Sequence, residues 1–200
     1  MMVLATTVTS RRRSRRHARV RLWGNFIGYE AVWFCAVIAA AHGLAWPGLL
    51  AFAAFAVWQL AMSKHRQVEY KLLVVALCCG LLLDGLLAAS GLLGYATASP
   101  ALPPGGAPLW ILALWAAFAL TLTQSLGYLQ KHLWLAALFG ALGGPLAFWC
   151  AAQGWGVVSF AAPAWHGLLV LAVGWGVAMP LLAGCARREL SKLSMQRGRQ

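Results

Sequence analysis

Six apolar runs, each near the length of a membrane-crossing helix, dictate most of what this chain can become. They occupy roughly residues 22–41, 46–62, 72–94, 108–126, 133–152 and 165–185, the second being the shortest. A helix needs about 20 residues to cross about 30 Å of hydrocarbon. None of the runs alternates apolar and polar residues with the period of a strand, and an open strand in lipid leaves backbone polar groups without partners. The expected fold class is all-α, a polytopic transmembrane bundle of six helices. Composition agrees: 62% of residues are hydrophobic and 10% charged, with mean hydropathy +0.72, whereas a soluble domain carries about 25% charge.

Charge placement orients the bundle. All sixteen Lys and Arg lie outside the runs: seven arginines in 11–21, Lys64, Arg66 and Lys71 in 63–71, Lys131 in 127–132, and five basic residues from Arg187 to Arg199. The intervening connectors, 42–45, 95–107 and 153–164, contain none. By the positive-inside rule both termini are expected in the cytoplasm. The division that follows is a disordered basic segment over 1–21, a transmembrane domain over 22–185 and a basic cytoplasmic tail over 186–200. The net charge of +12 then serves anionic lipid, at about 1 kcal/mol per basic residue beside the membrane, and nucleic acid is not an expected partner. The run 22–41 exceeds a signal-peptide core and is read as a retained anchor.

Several chemistries find no support. Cys35, Cys78, Cys79, Cys150 and Cys185 fall within or at the ends of runs without a C-x-x-C, which reads as small core residues rather than disulfides or zinc. His42 and His166 are expected as wetted groups on different helices, so no metal site is expected. Nucleophile elbows, H-E-x-x-H and phosphate-binding loops are absent, and no cofactor is expected.

Two carboxylates, Glu30 and Asp84, lie inside runs. An ionisable group at bilayer depth costs about 2.5–3.5 kcal/mol on insertion scales. Asp84 falls about 13 residues and ~19 Å into its run, Glu30 about 9 residues and ~13 Å, so adjacent helices would bring them to similar height. They read either as an ion-sensitive centre or as neutral acids bonding neighbouring helices. Gly80, Asp84, Ala88 and Gly91 share one side of the third run at helical spacing. Thr121, Gln124, Ser125 and Tyr128 form a polar ladder on one face of the fourth, and Asn25 sits at the same level. This ladder reads either as a pocket open to the cytoplasm or as interhelical hydrogen bonding. Gly24 and Gly28 make a G-x-x-x-G face for close helix approach. The turn over 42–48, with Pro47 in the first turn of the next helix, predicts an antiparallel hairpin. Pro145 is expected to bend the fifth helix. Trp23, Trp46, Trp110, Trp134 and Trp165 gather at run ends as interfacial aromatics do.

The segments N-F-I-G-Y-E-A-V-W-F-C (25–35), L-L-L-D-G-L-L (81–87), P-L-W-I-L-A-L-W-A-A-F-A-L-T-L-T-Q-S-L (108–126) and G-A-L-G-G-P-L-A-F (140–148) resemble a family of small bacterial inner-membrane proteins of unknown function, over residues 22–185. The resemblance implies a multi-pass protein of the cell inner membrane, with Asp84 and Trp110 matching the family pattern. It also implies an association with cyclopropane-fatty-acid-synthase-like and other lipid-modifying genes. Two departures stand out: Glu30 occupies a position that is often Gln, and Thr123-Gln124-Ser125 replaces Asn-His-Ser, losing a general base.

Three functions follow as expectations. The first is a non-enzymatic component of membrane-lipid or envelope modification, with lipids and other inner-membrane proteins as partners. The second is a small proton-coupled permease using Asp84, and the third a membrane-embedded lipid-modifying enzyme.

Overall fold

The structure, a computed structural model, describes residues 21–196 and 198 in full; for residues 2–20 and 197 it gives only their membership of a helix. Apart from Arg21, the expected disordered segment over 1–21 lies outside the fully described residues. Six helices form: α1 (Met2–Ala41), α2 (Trp46–Met62), α3 (Arg66–Ala89), α4 (Leu109–Ala119), α5 (Leu133–Trp155) and α6 (Trp165–Arg197). Four of them are long and apolar enough to cross a membrane, over Arg21–Ala41, Arg66–Ala89, Leu133–Trp155 and Trp165–Gln196. With 17 and 11 residues, α2 and α4 are shorter. Short strands close one end of the bundle: β1 (Leu93–Tyr95), β2 (Ala101–Leu102), β3 (Ala107–Pro108) and β4 (Val158–Phe160). β1 pairs antiparallel with β4, placing Leu93 opposite Phe160, and β2 pairs antiparallel with β3. At the opposite end Lys64 and Lys131 lie in connectors and Arg66 starts α3, so the molecule has a strand end and a basic end.

The expected α1–α2 hairpin forms, and small residues set its closeness. A Cβ on Gly48 would lie 2.8 Å from the Ala36 Cβ, so only glycine lets the backbones approach this far. Gly24 and Gly28 face aromatic rings rather than backbone: a Cβ on Gly28 would stand 2.8 Å from Phe55, and one on Gly24 would stand 3.0 Å from Trp58.

The third and fourth helices depart from expectation. α3 begins at Arg66, about one and a half turns before the apolar run, and carries Glu69 in its first turn, where a carboxylate meets the positive end of the helix dipole. It stops at Ala89, and Gly91 follows at φ +71°. Gly91 therefore turns the chain out of the helix and is not part of the small-residue face with Gly80 and Asp84. α4 ends at Ala119, well short of residue 126, and a turn-rich stretch leads to a 3-10 turn at Gly127–Gln130. The expected helical ladder of Thr121, Gln124, Ser125 and Tyr128 does not exist as a helix face. Polar side chains here bond nearby backbone carbonyls, which competes with helix continuation.

Short as it is, α4 forms the middle of the core. Trp110 through Ala113 and Trp115 through Ala119 are buried, and the chain stays buried as far as Leu122. Irregular backbone at this depth is tolerated because protein surrounds it. α5 packs chiefly on α6 and touches α1 only lightly. Gly140 and Gly144 of α5 leave room for Trp175 of α6, where any Cβ would collide. Pro145 lies inside α5 and Pro180 inside α6, neither ending its helix. Of the five cysteines expected in the core, Cys78 and Cys150 are instead exposed, while Cys35, Cys79 and Cys185 are half-buried, Cys79 and Cys185 packing against the core.

Candidate functional site

The sequence candidates separate into three places. The first is a sealed node around Asp84. Gly80, one turn earlier, provides the space: a Cβ there would lie 2.8 Å from the Trp115 Cγ. Trp115 can thus lie against α3 and donate its Nε1–H to Asp84 Oδ2 at 2.6 Å, while the Tyr95 hydroxyl donates to Oδ1 at 2.8 Å. Asp84 is fully buried. Burial first, and the neighbouring Asp84 charge second, push the Tyr95 phenol far above its ordinary range, which keeps it the donor. The network continues outward: Trp110 Nε1 donates to the Thr97 carbonyl at 2.9 Å, and Thr97 Oγ1 to the Ala40 carbonyl at 2.7 Å. Trp110 is therefore buried, not interfacial, because its polar atom has a partner inside the strand end.

The second place is the truncated end of α4. Asn25 Nδ2 and Gln59 Nε2 both donate to the Leu120 carbonyl, at 3.1 and 3.3 Å. Thr121 Oγ1 donates to the Phe118 carbonyl at 2.6 Å, and Gln130 Nε2 to that of Leu122 at 2.7 Å. These bonds satisfy carbonyls that a helix end leaves open. Asn25 Oδ1 accepts from Ser125 Oγ at 2.7 Å, and Gln124 Oε1 accepts from Arg21 Nη2 at 3.3 Å. Beside this cluster Glu69, fully buried, accepts on Oε1 from Thr123 Oγ1 at 2.7 Å and from Ser63 Oγ at 3.1 Å. Its Oε2 is buried and has no hydrogen-bond partner among the described residues. Asn25, Thr121, Gln124 and Ser125 do come together, but as a plug around a helix end. Tyr128 is exposed and takes no part.

The third place is a cavity of about 240 Å³ between α1, α4, α5 and α6. Glu30 and Trp33 from α1, Trp115 and Phe118 from α4, Gly144 from α5 and Trp175 from α6 are among its walls. Trp115 stacks on Trp175 with centroids 4.0 Å apart and planes 13° from parallel, and Phe118 meets Trp175 edge-on. Phe139 and Gly143 line both this cavity and an apolar groove of about 390 Å³ running along α5 past Tyr128, Leu138 and Leu146. Glu30, Trp33 and Gly143 are half-buried and Phe139 is exposed, so the cavity reaches the molecular surface between α1 and α5. The two acids do not share a site. Asp84 lies five residues before the end of α3, about 8 Å from it, and Glu30 eleven before the end of α1, about 16 Å. Trp115 links the two places, its ring on the cavity and its Nε1 on Asp84.

A family model described as a protein of unknown function, DUF2878, matches residues 22–181. The chain belongs to that family. No curated protein and no solved structure matches it. Every residue lining the cavity, and every residue holding Asp84, lies inside the DUF2878 region.

Sequence reasoning missed Glu69, because it stands among the basic residues of a presumed connector. Its signal was position: an acid just before a long apolar run belongs to a helix's first turn. It also missed Glu189, which accepts from Lys71 and Lys192 and so ties α3 to the extension of α6. His42, in the turn after α1, and His166, in the first turn of α6, are both exposed. Among the described residues no three His, Cys, Asp or Glu side chains gather as a metal site would require.

Proposed function

We propose that the protein is a multi-pass protein of the bacterial inner membrane, both termini cytoplasmic, that holds the apolar chain of a lipid or lipid-like amphiphile between α1 and α5. In this reading it serves membrane-lipid or envelope modification as a non-enzymatic component beside other inner-membrane proteins. The observation that carries it is the continuity of cavity and groove at Phe139 and Gly143, on a surface that faces lipid in a membrane-spanning bundle. An apolar cavity of about 150 Å³ already admits benzene, so 240 Å³ beside an open groove accommodates a larger apolar group. Asp84 favours this reading over a permease, since both its oxygens are occupied by donors and the residue is buried.

Gly143 offers the test. A Cβ there meets only Phe139, at 3.9 Å, so the cavity wall has room for a side chain to begin at this position. Gly143→Leu is expected to remove co-purifying lipid in native mass spectrometry while melting temperature and abundance change little. A strain lacking the protein is expected to show altered acyl-chain composition. Wild-type protein that retains no amphiphile, or lipid occupancy indifferent to Gly143→Leu, overturns the reading.

A further inference from the structure

The cavity proposed to hold an apolar chain contains one feature that an apolar chain does not need. Glu30 is the single Asp, Glu, Lys or Arg among its walls, and it has no ion-pair partner among the described residues. Trp33, also in the wall, follows one helical step later on the same face of α1. Eight aromatic side chains in all line the space, which biases it toward cations. An ammonium group over an aromatic face gains about 0.5–1 kcal/mol when exposed and about 2 when desolvated, and a carboxylate at low dielectric adds direct Coulomb attraction.

We infer that the ligand is a lipophilic ammonium ion, its charge against Glu30 and Trp33 and its chain directed past Phe139 along α5. This rests on the reading that cavity and groove take an apolar chain, and it names the chemistry of the head group. A free cation fits better than a phosphocholine or phosphoethanolamine, because no Lys or Arg lines the cavity to meet a phosphate. Neutral alkyl ligands fill the same volume but leave the carboxylate without a partner, at a cost of the kind that keeps acids out of membranes.

The test uses the full chain in zwitterionic nanodiscs, with tryptophan fluorescence as the readout and decyltrimethylammonium, decanol and decylphosphocholine as probes below their micellar concentrations. Wild type is expected to bind decyltrimethylammonium about tenfold more tightly than decanol, which corresponds to about 1.4 kcal/mol, with decylphosphocholine no better than decanol. Glu30→Gln is expected to bring the cation to within about twofold of decanol while decanol still binds, no more weakly than to wild type, which also shows that the variant is folded. Equal binding of cation and decanol by wild type, a preference that survives Glu30→Gln, or a preference for decylphosphocholine overturns the inference and leaves the apolar-chain reading standing. If no probe binds, the apolar-chain reading fails and the inference falls with it.

Discussion

Asp84 and Glu30 show how little a residue's identity says until its neighbours are known. Both are acids within apolar stretches of helix, yet one is closed into a node and the other borders open space. The node makes a specific demand: two donors, Tyr95 OH and Trp115 Nε1, need acceptors in a buried place. Asn at position 84 still accepts from Trp115 through its oxygen, and its amide can donate to the Tyr95 oxygen. Leu leaves both donors unsatisfied, each costing about 1–3 kcal/mol. Asp84→Asn is therefore expected to melt within a few degrees of wild type, and Asp84→Leu far below it, in thermal scans of the detergent-solubilised protein. Equal destabilisation by both would mean that the charge, not the hydrogen bonding, is what the node requires. The importance of Asp84 was legible in the sequence because an acid in an apolar run is conspicuous. Its partners were not: Tyr95 comes from the strand-end loop and Trp115 from another helix, a pairing that no spacing along the chain encodes. Glu69 was hidden for the opposite reason, since basic neighbours made an interior acid look like a connector charge.

At the level of elements, hydropathy located the helices but overestimated the fourth. The run 108–126 is apolar throughout its first half and remains buried to Leu122, so hydropathy cannot mark where α4 ends. Distant amides cap its end. Asn25 of α1 and Gln59 of α2 both donate to the Leu120 carbonyl, and neither lies near it in sequence. Their shared acceptor makes a quantitative prediction. Gln59→Leu alone leaves the carbonyl one donor and is expected to cost about 0.5–1.5 kcal/mol, and Asn25→Leu, which also strips Ser125 of its acceptor, is expected to cost more. The double variant strips both donors, so its cost should exceed the sum of the singles by at least about 0.5 kcal/mol, measured by denaturant unfolding in mixed micelles. Additive costs would show that the two amides act on separate parts of the fold. Within residues 121–128, Thr121, Gln124 and Ser125 bond to Phe118, Arg21 and Asn25, while Tyr128 is exposed. Helical spacing was extended across a segment whose side chains cap carbonyls instead.

For the molecule as a whole, the basic end and the strand end differ in a way that predicts an orientation in a membrane. Moving Lys64, Arg66, Lys131, Arg187 and Arg188 across a bilayer costs far more than moving the strand-end loops, which carry no Lys or Arg at all. Those loops are also tied down, by the β1–β4 and β2–β3 pairs and by Trp110 bonding to Thr97, so they form a compact cap that needs no anchoring charge. The buried continuation of α4 fits the same picture. The helix covers only about 16 Å, and the turn-rich stretch and 3-10 turn carry the chain on to Lys131 at the basic end. Ser99 and Lys131, both exposed, are therefore expected on opposite faces of the membrane. None of the five cysteines is fully buried or disulfide-bonded, so their replacement by alanine or serine should be tolerated, and single cysteines can then report position. In intact cells an impermeant maleimide is expected to label Ser99→Cys. Lys131→Cys is expected to react only after the membrane is opened. Labelling of Lys131→Cys in intact cells, with Ser99→Cys silent, would reverse the orientation and place the basic end outside, where the anionic lipid of the cytoplasmic leaflet could not hold it.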